Sequence, residues 1–483
     1  MNAVAIKEFR QAVQSRWVIA VLMLFLLINV FVVGGYLALN PDAATSTRGG
    51  RDTFTGLLVI LMLTSLAFVP LYSGIRLSLE RNDANIDLLF ITTIRPGAIV
   101  RGKYLSAMGL TLLIFSTCMP FMVLTYLLGG VDLPTIFFVL AAGYTACAVA
   151  NAIGMFAGSV SGSWLIRGLI AALGLFSLFY GGGLTLAFLI GEVLERGMGT
   201  ALGTDIWQFW GMLGTLVLLA LLAIGLFYVL SVAMLSPVLS NRMFVPRLYL
   251  VLCCFSSGCV AGVWSWCEHD VRPVVVWMVG SGIVWIITAV ASMGERDTWT
   301  ARVRRKIPRN RLLRPVAFVL YTGSAGGVIF SALMFAATIG AAYYFNYVSD
   351  LHAYSSFSRI SFHDEAANMA IIFGYVLCYC LTTAFLRVTV LRRLPTATLS
   401  LITAIVASFF LIVPYFIGLM VLRNTWHDPP WYMFSSPLVL TTERSYASVS
   451  AYPVVIVWLL IGVLASSPWI LGQMRRFLPL EAK

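Results

Sequence analysis

The side chains of this sequence that could bind a metal or take part in catalysis are few, and they gather between apolar runs. All four histidines fall in such connections, and His363, Asp364 and Glu365 follow one another directly. With Asp350 and His352 nearby, they offer imidazole and carboxylate groups, which are suitable metal ligands. Their spacing matches no metal motif, so we interpret them as solvated loop residues and expect no metal site.

Nucleotide chemistry also lacks a motif in this chain. No GxxxxGK[ST] sequence occurs, and Gly102-Lys103 lacks both the upstream glycine and a following Ser or Thr. Seven of the eight cysteines lie in apolar runs, where they act as small apolar residues, and Cys267 lies near a predicted outer surface. We therefore expect no catalytic residue, no cofactor and no disulfide framework.

Composition sets the class of protein to which these residues belong. The 483 residues are 60% apolar and 11% charged, with a mean hydropathy of +0.91. No soluble domain has such a composition, so the sequence indicates an all-α polytopic membrane protein. Twelve apolar runs can cross a bilayer, namely residues 17–39, 54–75, 105–128, 135–160, 168–190, 209–235, 248–266, 273–293, 316–345, 367–386, 399–422 and 453–472.

Two further patterns concern how these spans begin and pack. Ile6, Phe9 and Val13 form an apolar helical stripe before the first span, which predicts an interfacial helix within residues 1–16. Glycines four residues apart allow close approach of helices. They are Gly154, Gly158 and Gly162, then Gly258 and Gly262, then Gly323 and Gly327.

The charges indicate which side of the membrane each connection faces. With both termini in the cytoplasm, the inner segments carry 25 of the 32 Lys and Arg residues and 7 of the 20 acidic residues. This excess follows the positive-inside rule and explains the net charge of +12 without a nucleic-acid partner. No charge falls within a predicted span, whereas ion-coupled carriers usually keep one there. Energy for transport would then come from elsewhere.

One cytoplasmic stretch, residues 76–104 between the second and third spans, is too polar to cross the membrane but has the spacing of an amphipathic helix. An apolar face and an acidic face recur at helical spacing. The apolar face consists of Ile86, Leu89 and Phe90, and the acidic face of Glu80, Asp83 and Asp87. Arg95-Pro96-Gly97 should end this helix, and a second short basic helix should end near Lys103. The arrangement suits a docking surface, while a passive loop on the lipid headgroups is the plain alternative.

The chain divides after Arg247 into two halves of six predicted spans, residues 1–247 and 248–483. In the second half, the inner segment 294–315 carries eight Lys and Arg residues. Its Glu295-Arg296 pair echoes Glu80-Arg81, which makes Glu295 and Arg296 a second candidate cytoplasmic contact. Strong basicity beside a membrane more simply indicates contact with anionic lipid headgroups.

The first half resembles the permease subunit of ABC-2 type ABC transporters. Lys7-Glu8-Phe9-Arg10-Gln11 is similar to the K-E-x-R-Q elbow helix of one branch of that family. A second set is similar to the family segment E-R … L-L-x-x-T-P-L-x-P-x-x-I-V-x-G-K, which contacts the ATPase. These residues are Leu79-Glu80-Arg81, Leu88-Leu89, Thr92, Ile94, Pro96, Ile99-Val100 and Gly102-Lys103. Thr93 departs from the family's Pro, and the second half, which matches less well, reads as a diverged repeat or an accessory bundle.

The resemblance implies the membrane-spanning permease of an ATP-driven exporter in a bacterial cytoplasmic membrane, with ATP and Mg²⁺ on a separate cytoplasmic ATPase. The implied contacts of that ATPase are Glu80, Arg81, Asp83, Asp87, Leu88, Leu89, Phe90, Pro96 and Lys103. One chain with two ATPases, a homodimer and a pairing with a second permease subunit all fit. A membrane assembly or anchor subunit that transports nothing, and a secondary carrier, are the alternative functions.

Overall fold

The computed structural model describes residues 3–39, 47–82, 96–129, 131–160, 206–237, 240–348, 362–391, 394–421, 434–438 and 446–479, with a few positions between 174 and 191. Across these residues the regular structure is helical and includes no strand. The chain forms two compact units, Met1–Pro237 and Val238–Lys483. The predicted all-α class is therefore confirmed.

The helices follow the apolar runs and in several places extend beyond them. The first unit contains α1 (Ala3–Val13), α2 (Arg16–Leu39), α3 (Thr47–Asn82), α4 (Pro96–Leu127), α5 (Leu133–Ser159) and α6 (Ile206–Leu235). The second contains α7 (Phe244–Glu268), α8 (Arg272–Ser292), α9 (Ala301–Arg304), α10 (Leu313–Leu320), α11 (Ser324–Val348), α12 (Phe362–Thr389), α13 (Leu399–Val421) and α14 (Tyr446–Arg476).

Length and composition confirm a multi-pass membrane architecture. Within the described ranges, ten helices are long and apolar enough to cross a membrane, and Leu399–Pro414 is a shorter apolar helix. The predicted span at residues 168–190 lies mostly outside those ranges. The total of twelve spans therefore stays a prediction.

In the first unit, α5 and α6 run in the same direction. The rings of Phe138 and Phe209, near the starts of the two helices, lie 5.9 Å apart. Those of Phe156 and Phe227, farther along each helix, lie 5.7 Å apart. Because the two helices are parallel, the end of α5 and the start of α6 lie at opposite ends of the pair. The fifth span is predicted in the interval between them.

Glycines bring α3 and α5 into backbone contact. A Cβ atom at Gly154 would lie 2.5 Å from the carbonyl oxygen of Pro70, and one at Gly74 would lie 2.6 Å from that of Gly154. A Cβ at Gly158 would overlap the carbonyl of Gly74. The close approach predicted from Gly154 and Gly158 is thus confirmed, while Gly162 lies outside the described residues.

The two units share one pattern of helix neighbours. In the first, α2 packs on α3 and α4, α3 on α4 and α5, α4 on α5 and α6, and α5 on α6. In the second, α7 packs on α8 and α11, α8 on α11 and α12, α11 on α12 and α14, and α12 on α14. Helices α2, α3, α4, α5 and α6 of the first unit thus correspond in order to α7, α8, α11, α12 and α14 of the second. Each of these contacts in the first unit has an equivalent contact in the second. Helix α13, which packs on α8 and α12, has no counterpart among the described helices of the first unit, and whether the second half is a diverged repeat or an accessory bundle stays a prediction.

Two boundaries differ from those predicted. The units divide at Pro237 rather than after Arg247, because Arg247 lies in α7 and binds Glu295 of the second unit. The span predicted at residues 316–345 is a single helix long and apolar enough to cross a membrane, but it runs from Ser324 to Val348, so its predicted start is wrong. There α10 ends at Leu320, Tyr321 has an extended backbone, and α11 begins at Ser324.

Candidate functional site

Residues 76–82 and 96–104 of the predicted docking stretch form the ends of two long helices. Because α4 starts at Pro96 and continues to Leu127, the separate short basic helix predicted before Lys103 is wrong. Proline suits the first helical turn, where its missing N–H would have no partner in any case. Five predicted contacts lie outside the described residues, and the side chain of Arg81 does too. The five are Asp83, Asp87, Leu88, Leu89 and Phe90.

Lys103 joins α1, α3 and α4 through an ion-pair cluster. Its Nζ lies 2.7 Å from Oε2 of Glu80 on α3 and 3.2 Å from Oε2 of Glu8 on α1. The side chain of Lys103 is 5% exposed and that of Glu80 is 44% exposed. The carboxylates offset the cost of burying the ammonium group. Two predicted docking residues, Glu80 and Lys103, therefore bind each other within the unit.

The helix predicted at the N-terminus is held by the side chains of its own motif. Besides Glu8, the amide oxygen of Gln11 accepts a hydrogen bond of 3.1 Å from Nη2 of Arg76 on α3. The ring of Phe9 covers Gly109 of α4, where a Cβ atom would lie 2.8 Å from Cε2 of that ring. The elbow motif thus docks α1 on the two helices that border residues 83–95.

Helices α3 to α6 share one apolar cluster. Leu77 of α3, Val100 of α4 and Met155 of α5 are buried together. The residues of α6 packed against them are Tyr228, Val232 and Leu235. The Tyr228 hydroxyl also donates a hydrogen bond of 3.3 Å to the carbonyl oxygen of Gly97 in the first turn of α4. Both borders of residues 83–95 are therefore attached to the helix bundle.

A second polar cluster surrounds the break between α10 and α11. Arg247 is 3% exposed, and its Nη2 donates to both carboxylate oxygens of Glu295 at 2.7 Å. Its Nη1 donates to the carbonyl oxygens of Val319 and Tyr321 at 2.8 and 2.5 Å. These carbonyls end α10 and have no later turn of helix to bind them. Arg247 therefore stabilises the interruption of the predicted span.

Glu295 binds the backbone on the other side of the break, just before α11. Its Oε2 accepts the N–H of Gly323 at 2.8 Å. Burial raises the pKa of the Glu295 carboxyl, and the Arg247 guanidinium opposes that rise. The Glu295 side chain is only 9% exposed, whereas Arg296 is exposed. Of the second predicted contact pair, Arg296 alone presents its side chain to the surroundings.

Other side chains complete the N-terminal cap of α11. Asp297 Oδ1 accepts the Ser324 N–H at 3.0 Å, and Gln473 Oε1 accepts the Ala325 N–H at 3.3 Å. Arg387 forms an ion pair with Asp297. Carboxylates suit this position because the first N–H groups of a helix are unpaired and carry partial positive charge.

The cluster also fixes the relative directions of the helices in the second unit. It joins the start of α7, the end of α8, the start of α11 and the ends of α12 and α14. Helices α7, α8, α11 and α12 therefore alternate in direction, and α14 runs in the same direction as α12. Sequence reasoning missed Asp297, Arg387 and Gln473, and it placed Arg247 in a connection. The available signal was Thr322-Gly323-Ser324, a polar interruption with capping residues inside an apolar run.

Neither cluster has the composition of a metal centre. Over the ranges that the structure describes, no three His, Cys, Asp or Glu side chains converge as metal ligands would. Asp350 and His352 lie outside those ranges. Both clusters pair a cation with carboxylates, and the second also binds backbone groups at helix ends, so both fix helices to one another.

Comparison with protein-family models, with curated proteins and with solved structures found no match.

Proposed function

We propose that this chain is the membrane-spanning permease subunit of an ATP-driven ABC exporter in a bacterial cytoplasmic membrane, and that a separate cytoplasmic ATPase docks between α3 and α4. One observation carries the proposal. Glu8 from the elbow-like motif shares the Lys103 ammonium group with Glu80, and Glu80 and Lys103 come from opposite ends of the docking-like motif. Residues that resemble the family at three separate places thus meet in one cluster.

We divide the proposed docking residues into two roles. Lys103 is enclosed and Glu80 is bound to it, so we assign both a positioning role at the borders of residues 83–95. Direct contact with the ATPase falls to the residues between them. Arg81, Asp83 and Asp87 would supply the charged contacts. Leu88, Leu89 and Phe90 would supply the apolar anchor.

The helix contacts suggest how a push on residues 83–95 would travel. Lys103 links α3, α4 and α1, and the backbone contact at Gly154 links α3 to α5. ATP-driven closure of the ATPase pair would therefore tilt these helices together and open an outward path. This is alternating access by rigid-body movement, with the energy supplied by differential nucleotide contacts.

Gentle purification followed by mass spectrometry tests the class of protein. We expect an ABC ATPase in stoichiometric amount. A stoichiometric partner without ATPase activity in its place would contradict the proposal and favour the assembly or anchor subunit. Transport driven by an ion gradient in liposomes without any ATPase would contradict it in favour of a secondary carrier.

Charge reversal tests the docking position. Glu80→Lys combined with Asp87→Lys should abolish ATPase coupling and leave membrane insertion intact. Asp132→Lys combined with Glu268→Lys changes charge equally at exposed positions of predicted outer connections and should leave coupling normal. Normal ATPase coupling in the Glu80/Asp87 variant would contradict the proposed docking position.

A further inference from the structure

We infer that residues 299–316 of the second unit form a binding site for anionic lipid headgroups, with an apolar edge that enters the acyl region of the same membrane. The inference is independent of the proposed transport function. It rests on the packing of this segment, on its uncompensated charge and on exposed leucines beside that charge.

The segment is built onto the core of the second unit. Ile307 is buried with Phe318 and Phe477. The ring of Trp299 lies 5.0 Å from that of Phe477, and the Tyr321 hydroxyl donates to the Lys306 carbonyl oxygen at 3.0 Å. The backbone that carries the charged side chains is therefore fixed, and they are presented as a defined surface.

The surface carries five exposed cations. They are Arg302, Arg305, Lys306, Arg309 and Arg311. In the part of the chain that the structure describes, no ion pair involves these side chains. The neighbouring acidic residues Glu295 and Asp297 are bound by Arg247 and Arg387 instead. The surface therefore keeps a positive field that attracts anions.

Large apolar side chains are exposed directly beside these cations. Leu312 is 83% exposed, Leu313 54% and Val316 55%. The Nε atom of Arg314, between them, is buried without a hydrogen-bond acceptor among the described residues. Buried donors are normally satisfied, so this N–H calls for a partner that the described residues do not supply.

A bilayer surface fits both halves of this arrangement. Phosphate groups match the cations, and acyl chains cover the apolar side chains one turn away. An acidic protein would match the cations and leave Leu312 and Leu313 in water. The segment also leads through α10 into α11, which is long and apolar enough to cross a membrane. The cations are thus held next to a membrane boundary.

The test uses the full-length protein reconstituted with phosphatidylcholine and phosphatidylglycerol. Spin-labelled analogues of each lipid report which one the protein immobilises. The charge variant replaces Arg305, Lys306, Arg309 and Arg311 by glutamine. The matched control replaces four other exposed cations by glutamine, namely Lys7, Arg10, Arg475 and Arg476. We expect the charge variant to lose selectivity for phosphatidylglycerol by at least about threefold, and the control to retain it.

A second variant, Leu312→Asn with Leu313→Asn, keeps all the cations. Because it alters only exposed side chains, it should fold, and it keeps the proposal testable if the charge variant does not fold. Because the acyl chains of the two lipids are alike, this leucine variant should lower the immobilised fraction of both lipids, most clearly at high salt where the charges are screened, and it should keep the preference for phosphatidylglycerol at low salt. Equal selectivity of the wild type and the charge variant at low salt, or equal lipid immobilisation by the wild type and the leucine variant at high salt, overturns the proposal. Unchanged lipid selectivity with loss of a co-purifying acidic protein from the charge variant overturns it too.

Discussion

Lys103 and Glu80 bind each other at one end of the first unit, with the ammonium nitrogen 2.7 and 2.8 Å from the two carboxylate oxygens. Glu8 approaches the same nitrogen to 3.2 Å. One enclosed cation therefore links α1, α3 and α4. A substitution of Lys103 removes contacts of three helices at once, so it is the most direct probe of the docking region.

Lys103→Met should loosen this link. Methionine keeps the length of the side chain but leaves Glu8, which is 12% exposed, without its cation. We expect the free energy of unfolding to fall by about 2 kcal/mol, below the full cost of breaking a buried pair because Glu80 is partly solvated. A denaturant titration measures the loss. Arg101→Met, at an exposed position of the same helix, should change little, and equal stability of the two variants would contradict the link.

Gly154→Ala should separate α3 from α5. The added methyl group would meet the Pro70 carbonyl oxygen at 2.5 Å, inside contact distance. Overpacking of this kind costs roughly 1–3 kcal/mol, which thermal unfolding would reveal as a lower Tm. Gly214→Ala is the matched control, since a Cβ there meets nothing within 4 Å. It should be neutral or slightly stabilising through helix propensity, so a similar loss in both variants would argue against the glycine contact.

Hydropathy and charge predicted the helical class, most of the spans and the two-part organisation, because burial in lipid imposes long apolar runs on the sequence itself. The elbow helix followed from spacing in the same way. The break before α11 did not, since residues 316–345 read as one apolar run. It depends on Arg247 reaching the Val319 and Tyr321 carbonyls more than 70 positions along the chain. Spacing within one element carries no information on such partners.

The inward orientation of Lys103 escaped prediction for a related reason. Helical periodicity assigns a residue to a face, but which face is buried depends on the neighbouring helices. Glu8 and Glu80 come from two other elements, and they decide that the basic side chain turns inward. A motif that suggests surface contact can therefore include residues that hold the surface in place.

Removing Arg247 should make stability depend on pH. In Arg247→Met, Glu295 stays buried but loses the guanidinium that opposes the rise of its pKa. The folded-state pKa then lies further above the unfolded value. A raised carboxyl pKa contributes stability at low pH that is lost as pH rises through the folded value. The deficit relative to wild type should be smallest near pH 4.5, the ordinary value, and grow toward neutral pH.

Thermal unfolding across that pH range measures the effect. Arg247→Met combined with Glu295→Met is the informative partner variant, because it removes the buried carboxyl as well. Its deficit should be nearly independent of pH and smaller at neutral pH than that of the single variant. Parallel pH profiles for the single and double variants would show that Glu295 is not the titrating group.

Two fragments of the second unit should behave differently in isolation. Residues 238–483 include Arg247, whereas residues 248–483, which follow the boundary predicted from sequence, lack it. Without Arg247, the shorter fragment leaves the enclosed Glu295 carboxylate without its cation and the Val319 and Tyr321 carbonyls without their donor, and such groups are costly. We expect the longer fragment to elute as one species in detergent and the shorter to aggregate. Arg247→Met in the longer fragment should reproduce the failure. Equal behaviour of all three would show that the second unit folds without this cluster.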